Sequence, residues 1–431
     1  MSHYKPYPAY KDSGVEWIGR VPEHWEILRI KRGVLLRNER RSDSPEGWPY
    51  VGLEDVEPES GRYAPTPGAS RQSEDSMVGV FRAGDILYGK LRPYLRKSIV
   101  AEEDGICSTE FLVLSVERAT ASWAHRWLLT PEVTQQIEAG CEGAKMPRAD
   151  WEHVGSIPMP LPHAAEQSAI SAVLDRETSR IDALIAKKTR FIELLQEKRQ
   201  ALITHAVTKG LDPHVKMKDS GVEWIGEVPE HWTITKLKHV SRALIGLTYA
   251  PEDVVVDGTG ITVLRSSNIQ GGQLDLADIV QVRAVADPEL MVRIGDILIC
   301  SRNGSRALIG KNIQLDERSV GCTFGAFMTV VRGSFNDFLY YAFNSTMFDA
   351  NSALYMTSTV NQLTISMIAN MEVPLPSKEE QRAIVSHLRK GLSSLDALLF
   401  KTQRSIDLLK ERRSAFITAA VTGQIDLREA A

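Results

Sequence analysis

At 431 residues the chain exceeds what one compact core holds, at roughly 150 residues per domain, so two or more folding units are expected. An apolar share of 43% and a charged share of 25% are those of a globular protein and exclude wholesale disorder or a fibrous chain. The net charge of −4 excludes nucleic-acid binding through overall basicity; such binding would have to come from local clusters, because fields at moderate salt are confined to about 10 Å.

No stretch reaches the roughly 18 uninterrupted apolar residues of a membrane span, and the first residues lack a basic start followed by an apolar core. No membrane partner and a cytoplasmic location are therefore expected. Cys107, Cys141, Cys300 and Cys322 stand far apart without a Cys-x-x-Cys pair, which argues against a disulfide framework and against a zinc site.

The first element along the chain is also the most telling, because it recurs. Residues 11–27 read KDSGVEWIGRVPEHWEI and residues 218–234 read KDSGVEWIGEVPEHWTI, differing only at Arg20/Glu227 and Glu26/Thr233. Both copies place Trp17, Pro22 and Trp25 (Trp224, Pro229 and Trp232) at identical spacing. Identity between otherwise divergent segments suits structural anchoring better than base stacking.

A basic cluster follows at Arg29, Lys31, Arg32, Arg37, Arg40 and Arg41. Short apolar runs at Val78–Phe81, Ile86–Tyr88 and Phe111–Val116, bounded by Gly, Asn, Asp and Pro, read as strands, and 123–139 reads as helical. Between them lie Lys90, Arg92, Arg96 and Lys97, then Lys145 and Arg148. From Pro162 to about Thr208 there is no glycine or proline, which predicts one long helix with a heptad seam at Ile170, Leu174, Ile181, Leu184, Phe191, Leu195 and Leu202, broken by Glu177, Lys188 and Lys198.

The second copy repeats this plan. Strands are expected at 261–264, 297–300 and 327–331 and a helix at 336–347. Polar clusters fall at Arg265 to Asn268, at Arg302, Asn303, Ser305, Arg306, Lys311 and Asn312, and at Thr359, Asn361 and Gln362. A second long helix carries Ile384, Leu388, Leu395, Leu398, Leu409 and Phe416, with Gly391 at the position of Glu177. Gly84-Asp85-Ile86-Leu87 reappears as Gly295-Asp296-Ile297-Leu298, and Pro160-Leu161-Pro162 with Glu166-Gln167 reappears as Pro374-Leu375-Pro376 with Glu380-Gln381.

The expected fold class is α+β: two mixed α/β domains related by a pseudo-two-fold axis and separated by two long helices pairing as an antiparallel coiled coil. The boundaries are 1–162 for the first recognition domain, 163–210 for the first spacer helix, 211–376 for the second domain and 377–425 for the second helix. A helix of about 45 residues is roughly 65 Å long and suits a spacer.

A search for chemistry assembles no active site. Gly84 to Leu91 resembles a phosphate loop only formally, since Leu91 stands where a hydroxyl would hold magnesium, and Gly304 to Asn312 has one residue too many. No amino-methylation tetrapeptide, His-Glu-x-x-His or Gly-x-Ser-x-Gly is present, and no catalytic or metal-ligating residue is assigned. Arg and Lys can bridge guanine and phosphates while Asn and Gln match the adenine edge. The candidate DNA-contacting residues are accordingly Arg32, Arg37, Arg40, Lys90, Arg92, Arg96, Lys97, Lys145, Arg148, Arg265, Asn268, Arg302, Asn303, Arg306, Lys311, Thr359, Asn361 and Gln362. Two other readings stay open: a scaffold using both segments for protein contacts, and a stand-alone nuclease or methyltransferase.

With VPEHW, GDIL and PLP-x3-EQ-x-AI ahead of long helices ending in LL-x-E-[KR]-R, all in the same order twice, the chain resembles the specificity subunit of type I restriction-modification systems. The resemblance covers nearly the whole chain. It implies that each domain binds one half of a bipartite double-stranded DNA target and that the helices set the gap. It also implies two methyltransferase subunits using S-adenosylmethionine and restriction subunits using ATP and Mg, with no cofactor held by this chain.

Overall fold

The computed structural model describes residues 4–42, 45, 47–65, 77–141, 143, 146–283, 287–355 (backbone only from 351) and 362–428. The chain forms two compact units, 1–189 with 404–431 and 190–403, so each globular segment shares its unit with part of both long helices.

The duplicated block folds alike in both units. Tyr10–Asp12 pairs antiparallel with Arg20–Pro22, and Met217–Asp219 with Glu227–Pro229. The next strand, Glu26–Arg29 or Thr233–Lys236, pairs with Pro158–Leu161 or Glu372–Leu375, which brings the start of each segment back to the residues feeding its long helix. The repeated Glu of the helix start then locks the two motifs together. Glu166 accepts from His24 Nε2 (2.8 Å) and Trp25 Nε1 (3.1 Å), and Glu380 accepts from His231 Nε2 (2.8 Å) and Trp232 Nε1 (3.3 Å). Burial pushes the Glu380 carboxyl up, but the hydrogen bonds from His231, Ser377 and Trp232 outweigh it and hold the group below its ordinary value. Trp25 is fully buried and meets Trp123 edge-on at 5.4 Å, while Trp17 stacks on Trp127 at 5.7 Å, so these rings anchor the core.

Each unit carries two four-stranded sheets. The larger has the order Val34–Leu36, Phe111–Val116, Ile86–Gly89, Ser98–Val100 in the first unit and Ser241–Ile245, Met328–Gly333, Ile297–Cys300, Asn312–Gln314 in the second, antiparallel throughout. Ile86–Gly89 and Ile297–Cys300 are buried at every position, which explains their continuous apolar runs. Both are entered by the same turn: Gly84 and Gly295 take left-handed φ values of 86° and 87°, and Asp85 and Asp296 accept from the N–H of Arg82 and Arg293 at 2.8 Å.

The smaller sheets share a parallel pair but are wired differently. Tyr50–Val51 runs parallel to Gly105–Cys107, as Ile261–Leu264 does to Thr323–Phe324. The antiparallel neighbour joins the later strand in the first unit and the earlier one in the second.

The helical stretch expected at 123–139 is two helices, Ala121–Leu128 and Pro131–Ala139. Pro131 has no N–H to donate and disfavours helical geometry at Thr130, so the chain turns there. Thr120 caps the first helix by accepting from Trp123 N.

The long helices span Ala164–Lys209 and Lys378–Val421 and pack antiparallel. In the first unit Ile170, Val173 and Leu174 share a core with Phe416, Ala419, Ala420 and Val421. In the second, Ile203, Ala206 and Val207 share one with Ile384, Val385, Leu388 and Leu392. Ion pairs tie the helices in each unit, Arg413 to Asp182 at 3.0 Å and Arg199 to Asp396 at 3.1 Å.

The heptad seam needs correcting at mid-length. Leu184, Phe191 and Leu398 are exposed by 48%, 42% and 39%, whereas Thr402, at an expected break, is buried with its hydroxyl donating to Leu398 O. A seven-residue stripe drifts about 20° per heptad on an unsupercoiled helix, and at both ends the stripe is absorbed by a globular core. Gly391 marks a close approach: a methyl group there would lie 3.1 Å from Leu202 Cδ2. Among the described residues no helix is long and apolar enough to cross a membrane.

Candidate nucleic-acid interface

In both units the buried strand after Gly-Asp-Ile-Leu runs into a polar loop that returns as the edge strand of the larger sheet. In the first unit this loop is Lys90–Lys97. Lys90 N donates to Glu110 O, Ala149 N to Lys90 O and Arg92 N to Pro147 O, each at 2.9 Å, while Lys97 Nζ donates to Leu53 O at 2.6 Å. Three segments therefore converge: the turn after Tyr50–Val51, the 90–97 loop, and the residues just before the short helix Trp151–Ser156.

The second unit assembles the same three positions from different residues. Ser301 N and Arg302 N donate to Phe327 O (3.0 Å), Leu363 N to Ser301 O (2.7 Å), and Asn303 Nδ2 to Ser266 Oγ (3.2 Å). The isolated bridge Leu91–Arg148 is matched by Arg302–Gln362. The isolated bridge is shared here, while the loops differ in length and their side chains differ at nearly every position. A fixed cradle that presents unlike donors and acceptors suits recognition of two different ligands by one frame.

Lys90, Arg92, Arg96, Lys97 and Arg148 come together in this way, as do Arg302, Asn303, Arg306, Lys311 and Gln362. Several are already engaged: Arg96 pairs with Glu59, Arg148 with Glu110 (2.8 Å) and Arg265 with Asp278 (2.9 Å). Arg92 and Arg306 are exposed and make no ion pair among the described residues, and Arg302 lies over the Phe327 ring at 5.3 Å. Arg32 and Arg40 lie elsewhere, Arg32 exposed at the end of the turn Ile30–Arg32 and Arg40 on an end strand of the smaller sheet. Lys145, Thr359 and Asn361 fall outside the described residues.

Two expected contacts are corrected. Arg37 donates through Nε (2.7 Å) and Nη2 (3.2 Å) to the buried Asp85, which raises the guanidinium pKa further; it is a structural ion pair. Asn268 is 1% exposed and its amide is fully used, accepting from Arg265 N and donating to Asp275 O and Asp278 O. Sequence reasoning missed the exposed rings of Tyr94 (45%) and Phe327 (60%) at these loops. Tyr94 could have been found as the aromatic between two arginines of one turn. Phe327 looked like the start of a strand that in fact begins at Met328.

A duplicated frame with two unlike basic loop clusters, borne on paired long helices, defines a two-module recognition protein. The family described as "Type I restriction modification DNA specificity domain" matches residues 229–406. The chain is 23% identical over 428 residues to the type I restriction enzyme MjaVIII specificity subunit of Methanocaldococcus jannaschii, covering 95% of each. It is 26% identical over 207 residues to the EcoKI specificity subunit of Escherichia coli K12, covering 46% of this chain and 44% of that one. A solved structure concerned with complex assembly and conformational transition of the type I R-M system superposes with a TM-score of 0.69 at 20% identity, over 93% of this chain and 98% of the other. Residues 229–406 thus carry a type I restriction-modification DNA specificity domain, and over nearly its whole length the chain is similar to a type I restriction enzyme specificity subunit.

Proposed function

We propose that this chain reads the DNA target of a type I restriction-modification complex, one half through each unit. The observation that carries this reading is the same three-segment cradle in both units, filled by Lys90, Arg92 and Arg148 in one and by Arg302, Arg306 and Gln362 in the other. Phosphate contacts supply salt-dependent affinity and base-edge contacts supply specificity. Linking two modules multiplies their selectivity through effective concentration, so neither half need bind tightly alone. The long helices set the gap between half-sites.

The partners are two methyltransferase subunits, which carry S-adenosylmethionine, and restriction subunits that use ATP and Mg. The modest net charge fits a chain whose methyltransferase partners contribute much of the basic surface around DNA. Genome-wide mapping of methylated bases in a host carrying the complex tests the function: a bipartite sequence with a fixed gap is expected, and an uninterrupted site would contradict it. Inserting four residues, about one turn, at matching points of both helices should change the gap and leave both half-sequences intact.

A further inference from the structure

The loop Lys90–Lys97 is built against ordinary backbone preference. Among the described residues three non-glycine residues have left-handed φ values, Glu59 at 63°, Arg92 at 53° and Arg96 at 48°, and all three meet at this loop. Arg92 and Arg96 flank the turn Pro93–Leu95, and Glu59 donates its N–H to Leu95 O (3.2 Å) and pairs its carboxylate with Arg96. The corresponding loop of the second unit has its left-handed residue at Gly310, at 83°, where glycine meets the demand without strain. Side-chain-bearing residues are kept in that region where the side chain has a use.

The two arginines differ in what they touch. Arg96 is tied to Glu59 and to Leu129 O, whereas Arg92 has its backbone pinned to Pro147 O and its guanidinium exposed. The support continues behind Glu59: Ser60 O accepts from Arg413 Nη2 (3.3 Å), and Arg413 pairs with Asp182, so the loop is braced by both long helices within the first unit.

We propose that Arg92 is a specificity-determining residue of the first unit, reading a guanine through two parallel hydrogen bonds, and that Arg96 with Glu59 is its positioning pair. The inference rests on the DNA-reading function above. Guanine offers N7 and O6 side by side in the major groove, and the rigid planar guanidinium fork matches them with two parallel hydrogen bonds, where a lysine ammonium is a flexible point charge with less directional donors. A loop already fixed in its bound shape loses little freedom on contact.

The test maps methylated bases in hosts carrying the assembled complex with wild-type chain, R92A, R92K, R92G, Glu59→Gln or Glu59→Asp. R92A should lose discrimination at one G·C pair of one half-sequence by about 10- to 100-fold, with the other half unchanged. R92K should lose most of that discrimination while keeping the salt dependence of binding. R92G relieves the strained φ, so it should raise the melting temperature by about 2 °C yet lose the same base pair. Glu59→Gln should blur that base pair alone, and Glu59→Asp should restore it; a merely structural role would weaken modification regardless of that base. An unchanged first half-sequence with R92A or R92G overturns the inference and leaves the proposed function standing. A wild-type map without a bipartite sequence overturns both.

Discussion

The two units share their larger sheet strand for strand and their motif lock bond for bond, yet the same lock sits in unlike surroundings. Glu166 has a side chain only 9% exposed and also accepts from Tyr7 Oη at 2.9 Å, while Glu380 is 37% exposed and also accepts from Ser377 N at 3.2 Å. The burial that surrounds Glu166 also drives the Tyr7 phenol pKa upward, with the Glu166 charge adding to it. A repeated motif thus specifies geometry, and the residues packed around it decide how much energy that geometry carries.

The largest expected effect lies in the two Gly-Asp turns. Asp296 holds Arg332, whose side chain is 13% exposed: Nη2 approaches Asp296 to 2.7 Å and also donates to Met291 O, and Nη1 donates to Glu289 O. Asp85 holds the more open Arg37, at 28% exposure. Asp296→Ala should destabilise its unit by about 4 kcal/mol and Asp85→Ala by about 3 kcal/mol, because each strands a guanidinium beside a buried strand. Two-transition calorimetry would resolve the order, and a reversed order would break the link between burial and cost.

The lock comes next. Glu166→Ala should cost about 3 kcal/mol and Glu380→Ala about 1 kcal/mol, since solvent can replace much of what the exposed carboxylate loses. Equal shifts in denaturant midpoint would show that burial does not separate the copies.

A histidine-driven pH effect should mark the first unit. Burial, first, and the neighbouring Arg126 and Arg413 charges hold the His125 imidazole pKa down at about 4, against the Ser98 carbonyl that opposes the shift, while the unfolded value is about 6.5. Between those values the unfolded chain binds the extra proton, so the first unit's stability is full above about pH 6.5 and falls by roughly 1–3 kcal/mol as pH drops toward 4. His125→Gln should flatten that slope in pH-dependent unfolding; an unaltered slope would place the effect elsewhere. The smallest effect is at Gly391→Ala, where about 1 kcal/mol of helix propensity is offset by crowding of Leu202, so a change within about 1 kcal/mol is expected in thermal unfolding.

The frame was legible in the sequence because its contacts are made between repeated motifs: His-Trp meets Glu-Gln, and Pro-Leu-Pro pairs with the strand after the tryptophan. Long helices and buried strands announced themselves by length and by continuous apolar runs. Pairings between distant, unrepeated residues stayed hidden. Arg37 looked like one cation among several, since its acceptor lies 48 positions away in the turn before Ile86–Gly89, and Asn268 looked like an adenine reader because nothing local shows that its amide closes a buried turn. The seam misplaced Leu184 and Phe191 because periodicity alone does not say where a globular core takes over from a helix partner.

The claim that matters most is that the units read independently through unlike loops on a common frame. Exchanging residues 30–150 for those of a relative with a different target, followed by methylation mapping in the assembled complex, addresses it directly. One half-sequence should change while the other half and the gap persist; a change in both halves would contradict the account.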